Sequence, residues 1–425
     1  MADLVGDASS HVGVLRGVAR SAMRSAARAD PRPRAAPAPV AEPEIGVTVA
    51  ARAELAQVAA WRTAFAPHAK DRRYYELVED TIEPRFLHRY FLVTDAQGEA
   101  CAVQPAFVAD IDLFEGVALP LRRAADIVRR AWPRFMTTRA LMIGCAAGDG
   151  HLDGADRPAR RAAVGPLVAA ALAQARADGA RLLVFKEFSA RYRADLAALG
   201  AAGFVRVPSL PMTSLDLNYA SFEDYMARAL SRAARKDLRR KFKAAARGPD
   251  IEMSVTHDAG AIIDEVYPLY LQVYERSHLH FEKLTKDYIR ELGRRMPDRA
   301  RFFVWRRDGV AVAFSICLVQ GDTIQDEYLG LDYRVALDLH LYHVTFRDVV
   351  TWAIANGYRR YRSTGLNYDP KLHLRHRLEP LDLYVRATSG LASRVLKIVL
   401  PLLGPTRYDA TLKRFANYHE LTDAA

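Results

Sequence analysis

The stretch TIQDEYLG, residues 323–330, places an amide, two carboxylates and a phenol in consecutive positions of an otherwise strand-like segment. Alternation along a strand predicts Gln325 and Glu327 on one face and Asp326 and Tyr328 on the other. A carboxylate accepts protons and a phenol donates them, so the candidates are Glu327 or Asp326 as general base and Tyr328 as general acid. The same residues also fit an edge strand with a wet face. Next, LDYRVALDLHLYHVTF enters a helix. Helix N-termini attract phosphate, which makes Tyr333 and Arg334 candidates for holding the diphosphate of a cofactor. Asn367, Tyr368 and Lys371 follow the next strand and are candidates for binding substrate at the same mouth; a turn with an exposed lysine is the plainer reading.

Other chemistries lack their residues. There is no GxSxG elbow, no Walker loop and no dinucleotide fingerprint. The pairs His278/His280, His340/His343 and His373/His376 have no acidic or cysteine set to complete a metal-ligand spacing, so no metal is expected. Cys101, Cys145 and Cys317 are sparse and lie in apolar runs. They read as core residues of a protein from a reducing, cytoplasmic compartment.

The elements that must position these residues form a repeat. IGVTVA (45–50), a helical stretch, the strand–turn–strand FLVTDAQGEACAVQPAFV (91–108), the strand RALMIGCA, the helix VGPLVAAALAQARADG and the strand ARLLVFKEF follow in order. From residue 251 the order recurs: IEMSVTH, the helix AIIDEVYPLYLQVYERSH, the strand–turn–strand FFVWRRDGVAVAFSICLVQ, TIQDEYLG, the helix LYHVTFRDVVTWAIANG and the strand YRRYRSTG. The first copy carries an extra segment, DLFEGVALPLRRAADIVRRAWPRF, and glycine-rich GCAAGDGHLDGADRP, whose Asp149, Asp153 and Asp156 would repel a diphosphate. Between the copies, Ser221 caps a basic stretch running to Ala246. Met226, Leu230, Ala234, Leu238 and Phe242 form its apolar stripe, which predicts one helix about 26 residues long.

The chain has 425 residues, half of them hydrophobic, and a net charge of +11, which favours acidic partners without choosing among nucleic acid, anionic lipid and phosphorylated cofactors. Residues 1–44 read as an Ala-, Arg- and Pro-rich disordered tail with a faint likeness to a transit peptide. Residues 389–425 read as an amphipathic tail: GLASRVLKIVLPLLG mixes aliphatic residues with Arg394 and Lys397 and suits a membrane surface, or packs back on the second copy.

The order β, α, β-hairpin, β, α, β, α, β, repeated on either side of SFEDYMARALSRAARKDLRRKFKAA and ending in ANGYRRYRSTGLNYDPKLHLRHRLEPLDLYVR, resembles the Fem-like tandem acetyltransferase-fold (GNAT) proteins. It also resembles the CelD-like acyltransferases of bacterial envelope and polysaccharide biosynthesis. The resemblance implies an α+β fold of two tandem GNAT-like domains with mixed sheets, 45–217 and 218–388, joined by a long basic helix over 221–246. It implies an acyltransferase acting on an amine of a small metabolite or envelope precursor, with acyl-CoA or acetyl-CoA as co-substrate and Glu327, Asp326 and Tyr328 at its centre. The partners implied are a small-molecule or lipid-linked substrate, tRNA if the donor is aminoacyl-tRNA as in Fem proteins, and the inner face of the membrane as a peripheral contact. The alternative is a binding protein on the same fold. The diphosphate loop of acetyltransferases, Gln/Arg-x-x-Gly-x-Gly/Ala, is missing from the second copy, which leaves the donor open. If the second copy is silent, Lys186 and Glu187 in the first are the next candidates.

Overall fold

A computed structural model describes residues 45–82, 86–112, 127–132, 135, 137–277 and 281–423. Readings that fall on residues 1–44, and most of the extra segment of the first copy, lie outside the described residues.

The repeat is present as two seven-stranded mixed sheets. The first begins β1 (Gly46–Ala50), β2 (Leu87–Thr94), β3 (Ala100–Asp112), β4 (Thr137–Ile143) and β5 (Leu182–Ser189). The second begins β8 (Ile251–Thr256), β9 (Ala300–Arg307), β10 (Val310–Gln320), β11 (Thr323–Leu331) and β12 (Arg360–Ser363). In each, the first four strands are antiparallel neighbours and the fourth and fifth run parallel. A parallel pair needs a crossover, supplied by the helices Arg157–Ala177 and Leu341–Ala355.

The sheets finish by exchange. β6 (Val205–Pro208) and β13 (Arg377–Glu379) are edge strands, but the strand between each and the rest of its sheet comes from the other half. β7 (Met212–Asp216) pairs with β12 and β13, and β14 (Leu381–Ala387) pairs with β5 and β6. Boundaries at 217/218 and 388 therefore do not separate two self-contained sheets: β7 precedes the first boundary and belongs to the second sheet, and β14 precedes the second boundary and belongs to the first. Asp382 fixes the exchanged β14. Fully buried, it accepts from Arg193 Nε at 2.6 Å and from Arg206 Nη1 at 3.1 Å, both residues of the first half.

The basic connector is two helices, Phe222–Ala229 and Arg232–Ala245. Leu230 is extended at the junction and Ser231 caps the second helix by accepting from Ala234 N. A second capping serine inside the stretch stops the first helix, so the single helix expected there is broken after two turns. Leu238 and Ala245 are buried, while Arg232, Lys236, Arg239, Arg240 and Lys243 are exposed. Of the cysteines, Cys145 and Cys317 are buried as expected, whereas Cys101 is exposed on an outward position of β3.

Candidate active site in the second half and the cleft between the halves

The parallel pairs hold the key geometry. β11 and β12 stay in register from Thr323/Arg360 to Asp326/Ser363 and then part, while β11 continues against β10 to Leu331. The carboxylates of TIQDEYLG therefore lie where the two strands separate. A bulge opposite Ile316/Cys317 pairs Tyr328 with Ile316 and Asp326 with Cys317, so strict alternation fails at Glu327. Tyr328 consequently shares the face of Glu327, whereas alternation predicted that it would share the face of Asp326.

On the face toward the crossover helix, Asp326 accepts from Ser315 Oγ at 2.5 Å and from Tyr361 OH at 2.7 Å. Lys371, also on this side, is buried and donates to the carbonyl of Thr364 at 2.5 Å. Burial lowers its pKa to about 8, against the pull of Asp326. Asn367 hydrogen-bonds the Tyr342 hydroxyl. It holds a left-handed backbone at φ 48°, which asparagine tolerates better than most residues. Asp326, Asn367 and Lys371 are thus gathered on one face. Tyr368 turns away: its hydroxyl donates to Pro211 O at 2.9 Å and its ring packs on Phe415.

On the opposite face Glu327 is buried against the first half. Lys70 Nζ is 2.9 Å from Glu327 Oε1, and Gln325 Nε2 donates to the same oxygen at 2.5 Å. Arg362 Nη1 donates to Gln325 Oε1 at 2.7 Å and its Nε to Glu379 at 2.6 Å. Asp149 closes the ring at 3.8 Å from both Lys70 and Arg362. Burial raises the pKa of Glu327. Asp149 is held well below the carboxylate range because His151, Lys70 and Arg362 outweigh its own burial. Tyr328 donates to Glu282 at 3.1 Å, and burial pushes both groups up.

Lys70, Asp149, Gln325, Arg362 and Glu379 of this ring line a cleft of about 650 Å³ between the halves, with Glu327 buried behind them. Its walls carry Arg191, Arg360, Arg375 and Arg377, with Asp216 and Glu420 as the acidic counterweight. His68 and His151 stack at 4.0 Å, and Arg191 Nη2 lies 3.4 and 3.3 Å from their Nδ1 atoms. Burial and the guanidinium keep His68 near a pKa of about 4 and His151 well below its usual value, so both rings are neutral at pH 7.

Lys70 reaches this place because Asp71 caps the helix Arg72–Thr81 immediately after it, and Arg299 of the second half donates to His68 O at 2.6 Å. Sequence reasoning missed His68, Lys70, His151, Arg191, Arg362 and Glu379. Their local sequences carry no shared motif; only the packing of the halves joins them.

Tyr333 and Arg334 sit at the loop before the crossover helix, as expected, but neither is free. Tyr333 stacks under Arg276 at 4.1 Å, and Arg334 forks onto Asp332 at 2.8–3.1 Å with its side chain exposed. The helix itself starts from His340, which provides no side-chain cap. The aspartates of the first half are not a repelling cluster. Asp149 is in the ring, Asp153 accepts from Val103 N at 2.8 Å, and Asp156 caps the helix Arg157–Ala177 by accepting from Ala159 N at 2.8 Å. Lys186 and Glu187 pair with each other at 2.6 Å, and Lys186 also donates to Gly148 O at 2.9 Å. Among the described residues no group of three or more His, Cys, Asp or Glu is placed to hold a metal ion.

Residues 232–371 match the family model described as an acetyltransferase (GNAT) domain. Among solved structures, a tandem GNAT protein from the clavulanic acid biosynthesis pathway is similar at 13% identity, over 81% of this chain and 99% of that one, with a TM-score of 0.48. FemX is similar at 12% identity, over 73% and 90%, with a TM-score of 0.47. The C-terminal domain of a putative lysylphosphatidylglycerol synthetase from Agrobacterium fabrum is similar at 17% identity, over 61% and 81%, with a TM-score of 0.42. No curated protein matches the chain.

Proposed function

From residues 232–371, which carry an acetyltransferase (GNAT) domain, and a first half that repeats its strand order, we propose an acyltransferase that works in the second half and draws its acceptor from the cleft between the halves. The observation that carries this reading is the parting of β11 and β12 beyond Asp326/Ser363, with carboxylates on both faces of the strand at that point. Acyl-CoA is the proposed donor. Tyr333 and the exposed Arg334, in the loop before the helix Leu341–Ala355, are the proposed contacts for its diphosphate.

The reaction joins an acceptor amine to the acyl carbon as the carbon–sulfur bond breaks. The amine's proton passes to a base and the departing thiolate takes up a proton. Glu327 is the first candidate for base, since burial raises its pKa, and Asp326 is the second. Tyr328 is the candidate acid, tuned through Glu282. Arg191, Arg360, Arg375 and Arg377 favour an acceptor bearing phosphate or carboxylate groups, and Asn367 and Lys371 lie on the other face of β11 with Asp326. A panel of acyl-CoAs against phosphorylated and unphosphorylated amines, followed by release of free thiol, tests this. Thiol release that depends on an anionic amine supports it; no release with any pair leaves the chain a binding protein.

A second reading, aminoacyl-tRNA as donor, is favoured by the row Arg232, Lys236, Arg239, Arg240 and Lys243 exposed on one helix. It requires RNA binding that weakens steeply with salt, by about 0.7–0.9 log unit per neutralised phosphate per decade. Changing Arg232, Lys236 and Lys243 to Gln should flatten that slope; no RNA binding at low salt retires the reading.

A further inference from the structure

The helix Gly390–Leu403 has two apolar faces. One seats Leu396 and Leu400 on the first sheet, beside Leu383, Val385 and Ala387 of β14. The other presents Leu391, Val395, Ile398 and Val399, which are 73%, 54%, 71% and 37% exposed. These four follow the i, i+4, i+7, i+8 spacing of a continuous stripe. Arg394 and Lys397 are exposed along its flank, and the helix carries no acidic residue. A stripe of large aliphatic side chains in water, held on a folded base, is costly unless something covers it.

A second element points the same way. β14 ends at Ala387 beside the start of β5, β5 starts beside β4, and β4 starts beside the end of β3. The turn containing Ile127, Val128 and Trp132 lies between β3 and β4 and is tied to the end of β3 through Arg129, whose Nη1 donates to Asp112 at 2.8 Å. Ile127 is 64% and Trp132 61% exposed. Both apolar segments therefore connect to one end of the first sheet, where Arg130, Arg139 and Arg181 are also exposed. Tryptophan beside basic residues is the composition of a protein surface that rests among lipid headgroups.

We propose that this end of the molecule docks on an anionic phospholipid surface. The stripe of Gly390–Leu403 enters the headgroup boundary, Arg394 and Lys397 meet lipid phosphates, and Trp132 is an anchor. Charge complementarity selects this occupant: the helix that bears the stripe carries the exposed Arg394 and Lys397 and no acidic residue. No described helix is long and apolar enough to cross a bilayer, so the contact is peripheral. It goes beyond the acyltransferase reading and stands whether or not that reading holds.

Flotation of the full chain with vesicles of phosphatidylcholine alone, and with added phosphatidylglycerol, tests the proposal. Binding to the anionic vesicles is expected, with weak binding to the neutral ones. Leu391→Ser/Val395→Ser/Ile398→Ser leaves the net charge unchanged and should cut anionic partitioning at least about tenfold. Arg394→Gln or Lys397→Gln should cut it about fivefold each. Trp132 emission should shift to the blue on binding. Failure to float with phosphatidylglycerol vesicles overturns the proposal. So does flotation that the triple serine variant leaves intact, because charge alone then explains it. A dimer in sedimentation velocity that the triple variant dissolves assigns the stripe to a second copy and overturns it too.

Discussion

The two halves share a strand order and differ at the gap between their fourth and fifth strands. In the first half the chain after β4 turns back and Gly150 bridges Phe188, with Gly150 N donating to Glu187 O at 3.0 Å. A Cβ at Gly150 would stand 2.4 Å from Lys186 O, so glycine is what lets the loop lie against β5. The helix that follows is capped by its own Asp156. In the second half β11 and β12 part with no corresponding bridge among the described residues, and the helix that follows has no side-chain cap. The strand gap is closed in the first half and unbridged in the second among the described residues, while both helix starts are satisfied internally, Ala159 N by Asp156 and Leu341 N by Ala336 O at 2.9 Å. The proposed division assigns the chemistry to the second half and a supporting role to the first. The first copy still contributes: Lys70, Asp149 and His151 line the cleft, and Lys70 pairs with Glu327.

The strongest challenge to this division is to undo the exchange of strands. Asp382→Ala strands two arginines beside a buried site, and a broken buried ion pair costs about 3–5 kcal/mol. Urea unfolding should show both halves destabilised together in a single transition. Separate transitions for the halves would mean that the exchange does not couple them.

Next in size is the catalytic comparison. Glu327→Gln should lower turnover about 10²–10⁴-fold with the circular dichroism spectrum retained. Glu187→Gln, at the closed gap, should change turnover by less than about threefold. Equal losses at both would make the halves equivalent, and a loss at Glu187 alone would move the site into the first half.

Lys371 gives a pH signature. Its folded pKa of about 8 lies below the 10.5 of a free lysine, so the unfolded chain binds more protons between those values. Burial of this amine therefore destabilises the protein fully below about pH 8, and the penalty is relieved as pH rises toward 10.5. Wild type should gain stability relative to Lys371→Met across that window, by at most about 1.4 kcal/mol per pH unit. A difference that is flat with pH would mean the amine is solvated.

The smallest expected effect is at the closed terminus. Asp156→Ala should cost about 0.5–2 kcal/mol through loss of the cap. It should leave the KM for an acyl-CoA unchanged, as measured by thiol release. A lowered KM would show that Asp156 was excluding the donor from the first half.

Much of the architecture was legible because local rules carry it. The hairpin turns at Asp95–Gly98 and Asp308–Gly309, and the helix ends at Gly179 and Gly357, mark both copies in register. The carboxylates of β11 stood out as polar groups in a strand. What stayed hidden depends on the third dimension. The bulge at Glu327 moves Tyr328 to the other face, and alternation alone has no sign of it. Ser231 reads as one more polar residue on a helix until its side chain is seen accepting from Ala234 N. β7 and β14 have ordinary strand sequences, and nothing in them says which sheet they join. Lys70 and Glu327 meet across 257 residues, so neither predicts the other.

The most direct test of the division between halves is hydrogen–deuterium exchange with and without a saturating acyl-CoA. The account predicts slowed exchange in peptides covering 327–345 and 364–371, and unchanged exchange across 144–160. Protection confined to 144–160 would contradict it, and no protection in either region would remove acyl-CoA as the donor.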